Sequence, residues 1–170
     1  MSRDKSEIVL SVENGRGDAA RFFIIAVDKR SGKVLYDSGA TPIPTIRGRF
    51  LHNYRAEILI EENRYRSLID LSSRKAIYDR RQVYNEASGS LRSAVRIWRN
   101  GQSLLQPIDT DNDGIYELKG VINLNGVGRG DPIAYVETTL KYADGAWQVL
   151  DSWIAPAEDL ANLPQPIRLR

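Results

Sequence analysis

The chain has 170 residues and a mass of 19.2 kDa, enough for one domain with its own core. Hydrophobic residues make up 42% and charged residues 27%, ordinary globular usage that excludes a disordered or fibrous polymer. Cysteine is absent, histidine occurs once, and the formal net charge is only +2, which excludes disulfides, zinc–thiolate sites, His-rich metal centres and long-range steering of a polyanion.

Met1–Ser6 is polar and lacks the apolar core of an export signal, so it reads as a short tail or as the start left when such a signal is removed. Runs of β-branched and aromatic residues then predict strands at Glu7–Glu13, Arg21–Asp28 and Lys33–Asp37, with Ser31-Gly32 as a tight reversal. Ser38–Pro44, with Pro42 and Pro44, is a connector. Strands are expected next at Arg55–Glu61 and Ser67–Leu71. Ala76, Ile77, Arg80, Val83, Tyr84 and Ala87 follow helical spacing, with Ser72 or Ser73 as N-cap and Gly89 as stop, so some helix is expected around Ser73–Arg80. The alternative there is a short helical turn followed by a strand through Gln82–Asn85. Later strands are Ala94–Arg99, Ser103–Ile108, Ile115–Leu124, Pro132–Tyr142 and Ala146–Ile154, with hairpin turns at Asn100-Gly101 and Asp144-Gly145. The tail Pro156–Arg170 contains Pro164 and Pro166. The expected fold is mainly β: one domain over residues 1–170, an antiparallel β-sandwich or barrel-like fold with at most one short helix.

Cations are 18 Arg and 6 Lys, grouped at Arg47/Arg49/Arg55, Arg64/Arg66, Arg80/Arg81 and Arg92/Arg96/Arg99. In predicted strands they alternate with apolar residues, which describes a solvated sheet face rather than a nucleic-acid surface. No window approaches the roughly 20 apolar residues of a membrane-spanning helix.

The sharpest feature is Asp109-Thr110-Asp111-Asn112-Asp113-Gly114-Ile115-Tyr116-Glu117. Carboxylates at alternate positions 109, 111 and 113 can converge when the backbone wraps into a tight loop, and Gly114 permits the turn that follows. Ca²⁺ takes about 6–8 oxygen ligands, so Asp109, Asp111, Asp113, the Ile115 carbonyl, Glu117 and water supply a plausible shell. Such closely packed carboxylates repel one another without a cation. The competing reading is a metal-free Asp/Asn/Gly turn; Mg²⁺ fits less well, because it rarely uses all-protein cages. The loop is not an EF-hand, whose bidentate Glu would fall on Gly120 and whose flanks would be helices rather than strands.

That string, set between strands, resembles the calcium loops of the FG-GAP and VCBS family of extracellular β-repeat domains. The continuation through Gly114–Leu150, together with Ile69–Lys75 and Val83–Glu86, is similar to uncharacterised bacterial VCBS-type envelope proteins, a likeness covering about residues 66–153. The resemblance implies Asp109, Asp111, Asp113 and Glu117 as side-chain ligands and Ile115 as a carbonyl ligand. FG-GAP propellers repeat the loop in every blade, whereas this chain carries it once. A propeller needs about four blades, and a single loop without repeats favours a compact domain with one strand–calcium loop–strand unit.

Arg-Gly-Asp occurs at Arg16-Gly17-Asp18 and Arg129-Gly130-Asp131. It can mark adhesion, but Gly between polar residues also makes ordinary turns. Gly126–Gly130 lacks the helix N-terminus of a phosphate loop. Glu57, Glu61, Asp70, Glu137 and Asp151 are available as glycosidase-like acids, yet no spacing pairs them. His52 has no partner motif, and Ser88-Gly89-Ser90 lacks the nucleophile-elbow pattern. The three Trp and eight Tyr read as packing residues or, alternatively, as a carbohydrate platform. The expected function is a calcium-binding, non-enzymatic structural or ligand-binding module of an extracellular or cell-envelope protein, with a protein or glycan partner. The alternatives are a glycan-acting enzyme with a structural calcium, or an adhesion module.

Overall fold

The computed structural model describes residues 7–14, 21–41, 43–92, 94–128 and 130–157. The terminal tails beyond these bounds and the first Arg-Gly-Asp copy lie outside the described residues.

The described strands form three antiparallel sheets, none of them closed into a barrel. The first contains β1 (Glu7–Asn14), β2 (Arg21–Asp28) and β3 (Val34–Asp37). The second contains β4 (Ile46–Leu51), β5 (Arg55–Ile60) and β6 (Tyr65–Asp70). The third runs in the order β10-β9-β8-β7, from β7 (Trp98–Ile108), β8 (Glu117–Asn125), β9 (Pro132–Ala143) and β10 (Ala146–Pro156). A 3-10 turn over Ser72–Arg74 leads into one short helix, α1 (Lys75–Arg80).

Two-residue periodicity explains how the sheets stack. On β5, Ala56, Ile58 and Ile60 are buried on one face, and they meet Ile122, Leu124, Ala134, Val136 and Ile154 of the four-stranded sheet. Tyr78 and Tyr84 close that core beside Phe50, with ring centroids 5.6 and 6.5 Å from the Phe50 ring. Leu118 lies on the same face of β8 as Ile122, and it joins Leu105, Leu140, Trp147 and Tyr36 of β3 in a second cluster. One face of the four-stranded sheet thus carries both three-stranded sheets. Each fully buried Ile or Leu stabilises the assembly by about 1.5–3 kcal/mol.

Several expectations need correction. The residue pattern predicts no strand at Ile46–Leu51, where Arg47, Gly48 and Arg49 interrupt the apolar residues. The structure pairs this segment with β5, places Arg49 Nε 2.7 Å from Glu57 Oε2, and pairs Arg47 with Glu61. Gly48 packs directly under Ile97, and a Cβ there would lie 2.8 Å from Ile97 Cδ1, so the Ile97 side chain would have to shift. Asn100-Gly101 is not a hairpin turn: both residues lie inside β7, and neither has the positive φ that such a turn demands. The ladder with β8 absorbs them through register shifts between Arg99 and Gln102 and between Gln102 and Leu104. The short helix is present, but no serine caps it, and Gly89 does not stop it. Leu71 and Arg74 hold the two cap positions without side-chain bonds, while the Ser72 amide donates to Asp70 Oδ1 at 2.8 Å. Downstream, the alternative strand through Gln82–Asn85 is reduced to a single bridge, Tyr84 with Leu91. The Asp144-Gly145 hairpin is present, with φ of 53° and 82°.

Candidate metal centre

The acidic loop is the connection between β7 and β8. Ile108 and Glu117 face each other at the last pair of the ladder, so Asp109 to Tyr116 must reverse the chain. Asn112 and Gly114 do this with left-handed φ of 61° and 83°. Asn tolerates that region and Gly enters it without steric cost.

Backbone donors then orient the carboxylates. The Gly114 amide donates to Asp109 Oδ2 at 3.2 Å, the Asp113 amide to Asp111 Oδ1 at 3.2 Å, and the Ile115 amide to Asp113 Oδ1 at 2.6 Å. One oxygen of each Asp is thereby anchored. Asp109, Asp111 and Asp113 offer ligand oxygens that all lie within 4.8 Å of one another. Asp109 is half-buried and the other two are exposed. Asp109 Oδ1 is buried with no hydrogen-bond donor. Two carboxylates at that separation repel by about 1 kcal/mol in water and about 3–4 kcal/mol near a protein surface. A donor set made only of oxygen, crowded and anionic, fits a hard cation.

Glu117 stands apart from this triplet. It is 1% exposed, and its Oε2 accepts the Thr110 hydroxyl at 2.7 Å and the Thr110 amide at 3.2 Å. The Lys141 ammonium lies 3.3 Å from Glu117 Oε1 and 3.6 Å from Asp111 Oδ2. The first of these is a charge contact rather than an aligned hydrogen bond, and Oε1 has no other partner. Burial raises the Glu117 carboxyl, but the Thr110 bonds and the Lys141 charge outweigh it and hold the group below its ordinary value. Ile115 is half-exposed at the loop exit. The structure therefore brings together three of the five expected ligands and keeps Glu117 behind them. Thr110 and Lys141 were not anticipated. Thr110 lies within the motif and hydrogen-bonds across it, whereas Lys141 reaches the site only through the β8–β9 register, which sets Leu118 against Leu140.

Other candidate groups are occupied separately. Glu57 faces Arg49 and Arg66, Glu61 pairs with Arg47, Glu137 pairs with Lys119, and Asp151 accepts its neighbour's amide at 2.7 Å. His52 is exposed and accepts the Leu91 amide on Nδ1 at 3.1 Å. The clustered arginines named above are all exposed. Trp147 packs in the core against Tyr36 and Tyr142, whereas Trp98 and Trp153 are 61% and 45% exposed.

In the second Arg-Gly-Asp copy the acid does not project into solvent. Asp131 is 7% exposed and its carboxylate is turned inward. Oδ1 accepts Arg74 Nη1 at 2.7 Å, while Oδ2 accepts the Tyr78 hydroxyl at 2.7 Å and the Val127 amide at 3.0 Å. Among the described residues, no helix is long and apolar enough to cross a membrane.

Comparison with known proteins places this architecture. The sequence model of the YybI C-terminal domain matches residues 44–155, from just before β4 to within β10. The chain is 28% identical over 145 residues to the "Uncharacterized protein YybI" of Bacillus subtilis (strain 168), which covers 84% of this chain and 55% of that protein. It therefore spans about half the length of that relative. No solved structure matches. Since the domain match takes in well over half of its residues, including the acidic loop, the chain belongs to the YybI C-terminal domain family.

Proposed function

We propose that the chain is a calcium-stabilised, non-enzymatic β module of an extracellular or cell-envelope protein. The observation that carries the reading is the Asp109, Asp111 and Asp113 triplet, each with one oxygen anchored by a backbone amide, and with Asp109 Oδ1 buried and unpartnered. The likeness of Asp109–Glu117 to FG-GAP and VCBS calcium loops supports it. In this reading the three carboxylates, the Ile115 carbonyl and Glu117 hold the ion. The bound cation removes the repulsion among the acids and ties the end of β7 to the start of β8. Exposed Trp98 offers a face to a glycan or protein ligand, whereas the Trp153 ring already faces the Lys119 ammonium.

Extracellular calcium modules have dissociation constants of about 10⁻⁴–10⁻³ M. At about 10 mM calcium and a Kd of about 10⁻⁴ M, the folded state gains about 2.7 kcal/mol. For a domain of this size that is a rise of about 5–11 °C in Tm. The test compares thermal unfolding in EDTA and in calcium for the native chain and for Asp111→Ala. The expected result is a calcium-dependent rise that the variant lacks. Coincident native curves would remove stabilising calcium binding.

A further inference from the structure

We propose that Lys141 is the resident counter-ion of the acidic loop, which the incoming calcium displaces, so that this lysine sets the affinity of the site. The inference rests on the calcium reading above and adds a determinant that the loop motif does not contain.

The geometry divides the two oxygens of Glu117 between different tasks. Oε2 is fixed by both donors of Thr110, at 2.7 and 3.2 Å. Oε1 is buried and has no hydrogen bond, only the Lys141 ammonium at 3.3 Å. The same ammonium lies 3.6 Å from Asp111 Oδ2, so one cation bridges the buried Glu117 and the exposed Asp111 of the triplet. An ammonium offers point-charge attraction without fixed directionality. Such a contact can be exchanged for another cation at little geometric cost.

Lys141 is also free to leave. Its side chain is 39% exposed, so the four-carbon stem can carry the charge into water rather than into the core. The charges give the direction of the exchange. Asp109, Asp111, Asp113 and Glu117 total −4, one lysine offsets one of these, and a divalent ion offsets two. With calcium present, the lysine becomes a like-charge neighbour of the ion. Its presence then stabilises the metal-free loop and penalises the loaded one.

Lys141→Met keeps the aliphatic stem and removes the charge. The protein is titrated with CaCl₂ by calorimetry and melted in EDTA, as native chain, Lys141→Met and the charge-retaining Lys141→Arg. Lys141→Gln serves as a second neutral variant should Lys141→Met fail to fold. The expected result has two opposite signs: the neutral variant melts lower in EDTA and binds calcium about tenfold more tightly. Lys141→Arg should bind like the native chain. Equal or weaker calcium binding by both neutral variants, with native binding intact, would overturn the role of the lysine and leave the calcium site standing. Absence of calcium uptake by native and neutral variants alike would overturn both readings.

Discussion

Asp131 offers the sharpest test of how the sheets are held together. It precedes β9, yet its carboxylate reaches Arg74 in the turn before α1 and Tyr78 within α1. It also receives the Val127 amide, while its carbonyl accepts the Gly126 amide at 2.8 Å. The site is tight, because a Cβ on Gly126 would lie 2.3 Å from Asp131 Oδ2. Asp131→Ala removes three acceptor contacts and leaves a buried phenol and a partly buried guanidinium without their carboxylate. Breaking one partner of a buried ion pair costs about 3–5 kcal/mol. The Arg74 side chain is 23% exposed and recovers some hydration, whereas Tyr78 is fully buried and recovers none. We therefore expect a total of about 3–5 kcal/mol, or a fall of about 6–20 °C in Tm.

Tyr78→Phe isolates one bond. It keeps the ring packing against Phe50 and Tyr84 and should cost about 1.5–3 kcal/mol, the range for hydrogen bonds to a charged group. In an Asp131→Ala background the same change should cost far less, giving a coupling of about 1–3 kcal/mol in a double-mutant cycle. Denaturant melts of the four proteins supply the assay. An Asp131→Ala cost under about 1 kcal/mol, or strict additivity with Tyr78→Phe, would refute the network as a fastener between α1 and the four-stranded sheet.

Three further outcomes are expected. Gly120→Ala places a Cβ 1.6 Å from Gln102 Nε2 and 2.9 Å from Thr138 Oγ1, so it should destabilise by about 1–3 kcal/mol, and shortening Gln102 to Ala should restore part of the loss in thermal melts. Trp147→Phe removes the indole N–H that donates to the Leu35 carbonyl at 2.6 Å; a loss of about 1–3 kcal/mol in a urea melt would confirm the bond, and an unchanged midpoint would refute it. Burial pushes the Tyr84 phenol up to about 12, against about 10 in an unfolded chain. The unfolded form thus releases its proton first as pH rises, so stability should begin to fall above about pH 10 and keep falling to about pH 12, with tyrosinate absorbance lagging in the folded protein.

Where local chemistry and tertiary environment agree, the fold can be read from the residues. The apolar, largely β-branched run Ile58-Leu59-Ile60 marks a strand, although its burial alternates where the unbroken run suggests cover on both faces, and Asp144-Gly145 provides the left-handed pair that a two-residue hairpin needs. Ile46–Leu51 could not be read this way, because its two arginines become strand residues only through ion pairs with Glu57 and Glu61 on the neighbouring hairpin. Asn100-Gly101 misleads for the converse reason: a turn-forming pair is spent as an irregularity inside a long strand. The acidic triplet was legible because all three carboxylates sit in one short loop. Lys141 was not, since it lies on another strand and only the ladder brings it there. Asp131 shows the limit of a tripeptide motif, whose letters do not say which way the carboxylate turns.

The broken pairing in β7 has a consequence for how the molecule behaves in a crowd. β7 and β10 are the two margins of the four-stranded sheet, and a straight margin is a template onto which another copy can add a strand. β7 departs from regular register twice, and β10 departs once, between Val149 and Asp151. A bulge bends the strand and spoils the even spacing of donors and acceptors that an incoming backbone would have to match. Half-exposed Leu150 sits at the β10 irregularity, where apolar surface would otherwise invite docking. Such irregularities disfavour edge-to-edge polymerisation at high protein concentration, and along β7 the closely packed β2 of the neighbouring sheet adds a further obstacle.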